Sequence, residues 1–187
     1  IRDRYQLIGV FSDEYCHTIA RAAHLLGKKR VMVVHSLDGF DEISVCAQTQ
    51  VVEIDEKGSV REYRFDPRNL GIDGFNRDEL SGGEPALNAQ LAIEVVENHG
   101  RPALLEAVSL NAGAALYIYG AAGSIEDGYA FAKQALVSGK VRQKIEEIRE
   151  VGRSIEHTSL NKMNRSVQDV NGNRAGLSIG KQGKKAR

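Results

Sequence analysis

Cysteine is scarce in this chain. Only Cys16 and Cys46 occur among 187 residues, one inside a helical pattern and one inside a strand pattern. With no Cys-x-x-Cys and no Cys/His cluster, a disulfide framework or a structural zinc site is not expected, and a reducing, cytoplasmic setting fits better. Long hydrophobic runs are also missing. No segment approaches the roughly 20 apolar residues that span a bilayer, and no secretory signal pattern precedes the first helix, so no membrane association is expected. Net charge is absent as well: 25 Lys and Arg balance 25 Asp and Glu, which leaves no global field to steer the chain toward one class of partner. Residue 1 is isoleucine rather than methionine, so a segment removed from the N-terminus is expected.

What is present is ordinary globular material, 42% hydrophobic and 27% charged, enough for one domain. Residues 12–26 follow a helical period, with Tyr15, Ile19, Ala22, Ala23 and Leu26 on one side, Ser12 as N-cap and Gly27 as stop. Val31 to His35 is short and continuously apolar, the mark of a strand buried on both faces in a parallel sheet. Ile8 to Phe11 supplies a preceding strand, giving a βα unit. The β-branched residues between Ile43 and Asp55 predict a strand, and Glu56-Lys57-Gly58 turns it into Ser59 to Phe65, a hairpin with one wet face.

Four helices follow. Pro85 opens 86–98, with Leu87, Leu91 and Val95 in register, and Pro102 opens 103–119. In the latter, Leu104, Leu105, Val108, Ala112, Ala115 and Leu116 are expected to be buried. Ser124 and Asp127 form a capping-box-like pair ahead of 125–138. Val141, Ile145, Ile148 and Val151 line the last helix, with Gly152 as its stop. Gly82-Gly83 reads as a turn before a helix, since no lysine follows as a phosphate loop requires.

The composition changes after Gly152. Residues 153–187 carry eight Lys and Arg against Glu156 and Asp169, a net of +6. The domain reading is therefore an α/β body over 1–152 and a basic, disordered tail over 153–187, with a nucleic-acid-binding arm as the sharper alternative for the tail.

Chemistry is best placed where the Val31–His35 strand runs into Ser36-Leu37-Asp38-Gly39-Phe40-Asp41-Glu42. Ligands collect at the carboxyl ends of strands in open α/β sheets, and hard cations such as Mg²⁺ take carboxylate oxygens. Asp41 and Glu42 are the candidate metal ligands. His35, Asn111, Tyr117 and Tyr119 are read as structural: His35 satisfying backbone groups, Asn111 bonding a neighbouring helix or loop, the tyrosines packing.

Several stretches taken together resemble the anthranilate phosphoribosyltransferases, in glycosyltransferase family 3 with its nucleoside phosphorylase-like α/β domain. They are Tyr5-Gln6-Leu7-Ile8-Gly9-Val10-Phe11-Ser12, Gly39-Phe40-Asp41-Glu42-Ile43-Ser44 and Leu110-Asn111-Ala112-Gly113-Ala114-Ala115-Leu116-Tyr117. Asp66-Pro67, Leu70-Gly71, Gly82-Gly83, Asn88-Ala89 and Glu126-Asp127-Gly128 match in the same order, so the resemblance runs from Tyr5 to about Val151. It implies a partial mixed sheet flanked by helices, the C-terminal half of a phosphoribosyltransferase-type catalytic domain. It implies phosphoribosyl transfer from phosphoribosyl pyrophosphate to anthranilate in tryptophan biosynthesis, with Asp41 and Glu42 holding Mg²⁺ at the diphosphate, and a homodimer when the enzyme is full length. In the family the glycine-rich loop that cradles the diphosphate, the Lys-His-Gly-Asn segment and an arginine contacting anthranilate lie upstream of the Tyr5-Gln6 motif. None is in this sequence, so the chain is expected to be inactive alone and poorly soluble, with Val31–His35 left with an unpaired neighbour and the apolar side of the 103–119 helix uncovered. A pyrimidine nucleoside phosphorylase and a non-catalytic nucleic-acid-binding relative are the alternative readings.

Overall fold

The computed structural model describes residues 4–155. Strands β1 (Tyr5–Gly9), β2 (Arg30–Ser36), β3 (Thr49–Ile54) and β4 (Val60–Phe65) form one sheet in that order, accompanied by helices α1 (Cys16–Leu25), α2 (Pro85–Val96), α3 (Pro102–Tyr119) and α4 (Ile125–Val137). Strands β1 and β2 are parallel, with Gly9 opposite Val34, whereas β2–β3 and β3–β4 are antiparallel. The sheet is mixed, as expected.

Alternation along β2 divides the core in two, because successive side chains point to opposite faces. Val31 and Val33 join Val52 and Ile54 beneath Cys16, Ala20 and Ala23 of α1. Met32 and Val34 join Val51 on the other face, beneath Leu110, Ala114 and Ile118 of α3 and Ile125 of α4. Each buried Val, Leu, Ile or Met contributes about 1.5–3 kcal/mol relative to its exposed state, so β2 is the strand the fold depends on most. It is also paired along both edges, with β1 and with β3. Its neighbour β1 is an edge strand, paired only with β2 among the described residues, which is the unpaired neighbour expected for Val31–His35.

Other expectations need correction. Ser12 makes no side-chain cap; one turn of 3-10 helix, Asp13–Tyr15, precedes α1. The buried face of α1 is Cys16, Ala20 and Ala23, while Tyr15, Ala22 and Leu26 are exposed. Residues 43–48 are a loop and β3 begins at Thr49, yet Ile43 and Val45 remain core residues. The two hairpin strands also differ: β3 is buried throughout and the wet residues are on β4. The buried residues of α3 are Ala103, Ser109, Leu110, Gly113, Ala114 and Ile118, not the six apolar positions expected. Pro85 and Pro102 do open α2 and α3, and Ser124 does cap α4 through the Asp127 N–H at 3.1 Å. Helix 140–155 runs through Gly152 instead of stopping there.

Burial of β3 takes a carboxylate with it. Glu53 is 7% exposed and accepts hydrogen bonds from the hydroxyl of Tyr63, from the Tyr117 hydroxyl at 3.1 Å and from Arg61 Nη2 at 3.0 Å. Tyr117 thus does more than pack. Burial, followed by the bond to Glu53, pushes the Tyr63 hydroxyl well above the ordinary tyrosine range, which keeps it a donor. Because a buried charge is tolerated only when its acceptor sites are filled, Glu53→Gln is expected to destabilise the fold by about 1–3 kcal/mol. A fall in urea midpoint with unchanged m-value is the measurement.

The molecule divides into two compact units, 1–142 and 143–187. No helix among the described residues is long and apolar enough to cross a membrane.

Candidate functional site

Because β1 and β2 run parallel, both carboxyl ends, at Gly9 and Ser36, open on the same edge of the sheet. The acidic loop lies there. Its first turn closes through Ser36 N–H to Phe40 O and Gly39 N–H to Ser36 O, both at 2.9 Å. Asp38 is not free: its carboxylate accepts from the hydroxyl of Ser36 and from Ser44 Oγ at 2.7 Å, which ties the two limbs of the loop together. Ser44 in turn donates its N–H to Thr49 Oγ1 at 3.1 Å and accepts from Cys46 N–H at 2.9 Å. Arg77 covers the outside, stacking 4.6 Å from the Phe40 ring centroid and donating to Asp38 O at 3.1 Å.

Asp41 and Glu42 stand differently. Both are exposed, and among the described residues neither carboxylate has a hydrogen-bond or ion-pair partner. Partial burial, and next the neighbouring Asp41 charge, push the Glu42 carboxyl above its usual value. Glu42 lines a cavity of about 410 Å³ with Phe40, Ile43, Val45, Leu104 and Asn111; Asp41 is not among its lining residues. A second cavity, of about 340 Å³, shares Leu80, Leu104 and Val108 with it and continues along Leu91 and Val95 of α2. The uncovered apolar surface expected on α3 is this pair of hollows.

Among the described residues no group of three or more His, Cys, Asp or Glu is arranged to hold a metal. The donor set still fits Mg²⁺, which keeps most of its water and needs one or two protein carboxylates besides substrate phosphates.

Close approach sets the position of Asp41. A Cβ added to Gly9 would lie 1.5 Å from the Asp41 carbonyl oxygen, so the loop crosses the end of β1 at a point where only glycine fits. On the other side of the pair, the Asn111 side chain of α3 binds both backbone groups of Ile43. His35 bonds through Nδ1 to Val10 O at 2.8 Å, the backbone role expected of it. Sequence reasoning missed Gly9, Arg77, and Asp38 with its serines. Only the Asn76-x-x-Glu79 capping box that presents Arg77 leaves a local pattern that could have been read.

Residues 1–142 match the glycosyl transferase family, a/b domain. The chain belongs to this family. Relatives include the anthranilate phosphoribosyltransferase of Myxococcus xanthus, 40% identical over 151 residues (81% of this chain, 44% of that protein), and that of Persephonella marina, 35% identical over 147 residues (79% and 43%). The crystal structure of the Thermus thermophilus anthranilate phosphoribosyltransferase superposes with a TM-score of 0.68 at 36% identity, covering 78% of this chain and 42% of that one. The Saccharomyces cerevisiae enzyme, solved in complex with PRPP and Mg, shares the fold at a TM-score of 0.67 and 21% identity, over 75% and 40%. This member of the glycosyl transferase family thus spans less than half the length of the relatives it matches. The expected basic tail, and with it the nucleic-acid reading, lies almost wholly outside the described residues.

Proposed function

We propose that this chain is part of an anthranilate phosphoribosyltransferase and supplies its metal-binding carboxylates, Asp41 and Glu42. The observation that carries the reading is the unpartnered, mutually repelling pair at the shared carboxyl ends of β1 and β2, on a chain whose relatives bear that enzyme's name. The same relatives favour the transferase over a nucleoside phosphorylase.

In the proposed reaction the anthranilate amino group attacks the ribose C1 of phosphoribosyl pyrophosphate and diphosphate leaves. Mg²⁺, when bound, neutralises charge on the departing diphosphate. Asp41 and Glu42 hold the ion through carboxylate oxygens. Asp38, each of whose carboxylate oxygens accepts a serine hydroxyl, keeps the loop closed and is not proposed as a ligand. The diphosphate cradle and the anthranilate contacts are proposed to come from the portion of the relatives that this chain does not span. The chain alone is therefore expected to be inactive, and the complete enzyme a homodimer in the cytoplasm.

The test joins this chain to the complementary portion of the Myxococcus xanthus relative and follows phosphoribosyl anthranilate by fluorescence. Asp41→Asn with Glu42→Gln is expected to lower turnover by about 10²–10³, the scale of losing one electrostatic stabiliser of a leaving group. Unchanged turnover and unchanged Mg²⁺ dependence would overturn the metal role.

A further inference from the structure

Ile43, the residue after Glu42, is 1% exposed, and it sits in a stretch without regular secondary structure. Its backbone N–H and C=O must nonetheless be satisfied, because a buried unpaired peptide group costs as much as a lost hydrogen bond. Both go to a single side chain. Asn111 Oδ1 accepts from Ile43 N–H at 2.9 Å, and Asn111 Nδ2 donates to Ile43 O at 2.9 Å. The second amide hydrogen goes to Ala107 O at 3.0 Å, one turn back along α3. This assignment leaves no freedom in the amide's orientation: the nitrogen faces two carbonyls and the oxygen faces an N–H. Asn111 therefore acts toward Ile43 as a neighbouring strand would, in a place where no strand is available.

We infer that Asn111 is a positioning residue for the acidic pair, holding Glu42 at the mouth of the cavity that both residues line. The inference rests on the metal role proposed for Asp41 and Glu42, and it adds what keeps them in place. Gly9 blocks the loop from behind Asp41, and Asn111 grips it just beyond Glu42. The two fixings lie on opposite sides of the pair in the chain, so the backbone that carries both carboxylates cannot shift without breaking one of them. Aspartate is unsuitable as a test, since a third negative charge would attract cations by itself. Leucine keeps the heavy-atom count and the branching at Cγ and removes every hydrogen bond without adding charge.

The experiment uses the full 187-residue chain, labelled with ¹⁵N, with Mn²⁺ together with inorganic pyrophosphate as the probe, because the proposed site shares the ion with phosphate oxygens. Three forms are compared: unchanged, Asn111→Leu, and Asp41→Asn with Glu42→Gln. Mn²⁺ is expected to broaden the amide signals of residues 41–43 in the unchanged chain and not in the doubly neutralised one. Asn111→Leu is expected to raise the Mn²⁺ concentration at half-broadening by about 10-fold, the lower end of what losing a residue that orients a ligand costs. Exchange of the Ile43 amide should accelerate by a similar factor, and the melting temperature should fall by several degrees, as the loss of partners for two buried peptide groups requires.

Half-broadening at the same Mn²⁺ concentration in a folded Asn111→Leu chain would overturn the positioning role and leave the metal reading intact. No broadening in the unchanged chain would overturn the metal reading, and the positioning role with it. Should Asn111→Leu not fold, a sub-denaturing urea series on the unchanged chain decides. Ile43 protection and Mn²⁺ broadening lost together support the role; broadening that outlasts the protection overturns it.

Discussion

Gly9→Ala is expected to displace the acidic loop more than any other single added methyl. The new Cβ would sit 1.5 Å from the Asp41 carbonyl oxygen and 2.5 Å from its carbon. Neither side yields easily. Gly9 is held in the ladder opposite Val34, and the next residue donates its N–H to Val34 O at 2.9 Å. The Asp41 side is held by Asn111 through Ile43 and by Asp38 through its two serines. Overpacking against backbone costs about 1–3 kcal/mol and sometimes more, and the cheapest relief is to lift residues 40–43 off the end of β1. The expected result is a folded chain with large amide shifts confined to residues 8–10 and 39–44, and with Mn²⁺ binding weakened alongside. Unperturbed signals at 39–44 would show that the loop does not rest on Gly9.

Gly113→Ala is expected to damage the fold itself. Gly113 and Gly128 face one another where α3 crosses α4. A Cβ on the first would lie 2.3 Å from Tyr129 N, and a Cβ on the second 2.2 Å from Gly113 O. Alanine is the better helix former by about 1 kcal/mol, so two effects of opposite sign compete. The clash is with backbone, which cannot rotate away as a side chain can, and it prevails: a net loss of about 2 kcal/mol corresponds to a melting temperature lower by about 4–8 °C for a domain of this size. Gly152→Ala provides the control. It also lies in a helix, but its added Cβ meets nothing within 4 Å among the described residues, so only the propensity gain remains and thermal stability should hold or rise. If Gly113→Ala proves as harmless as Gly152→Ala, the close crossing of α3 and α4 is wrong.

Features that depend on neighbours in sequence were legible in advance. The continuous apolar run of β2, the Glu56-Lys57-Gly58 turn, the prolines opening α2 and α3 and the Ser124 cap are local, and each is found close to where the pattern puts it. The face of α1 was misread. Inside α1 the small residues Cys16, Ala20 and Ala23 pack against the sheet, one position off the stripe of larger apolar residues that the period had picked out. On α3, apolar residues occur on nearly every side, and periodicity cannot choose among them. At the site, the Asp-Glu pair could be picked out because it follows a strand. The contacts that hold it could not, since Asn111 reaches Ile43 across 68 positions and Gly9 matters only for what it lacks.

Helix α3 is fastened at three places along its length. Arg101, at its start, donates to Ser81 O at 3.1 Å; Asn111 binds Ile43 midway; and at its end the Tyr117 carbonyl accepts from Arg30 of β2 at 3.0 Å. A rod pinned at both tips and at its middle cannot slide or roll against its surroundings without unfastening something. A change on the far side of α3 that moves the helix must therefore break one of these bonds or shift the backbone of the acidic loop with it.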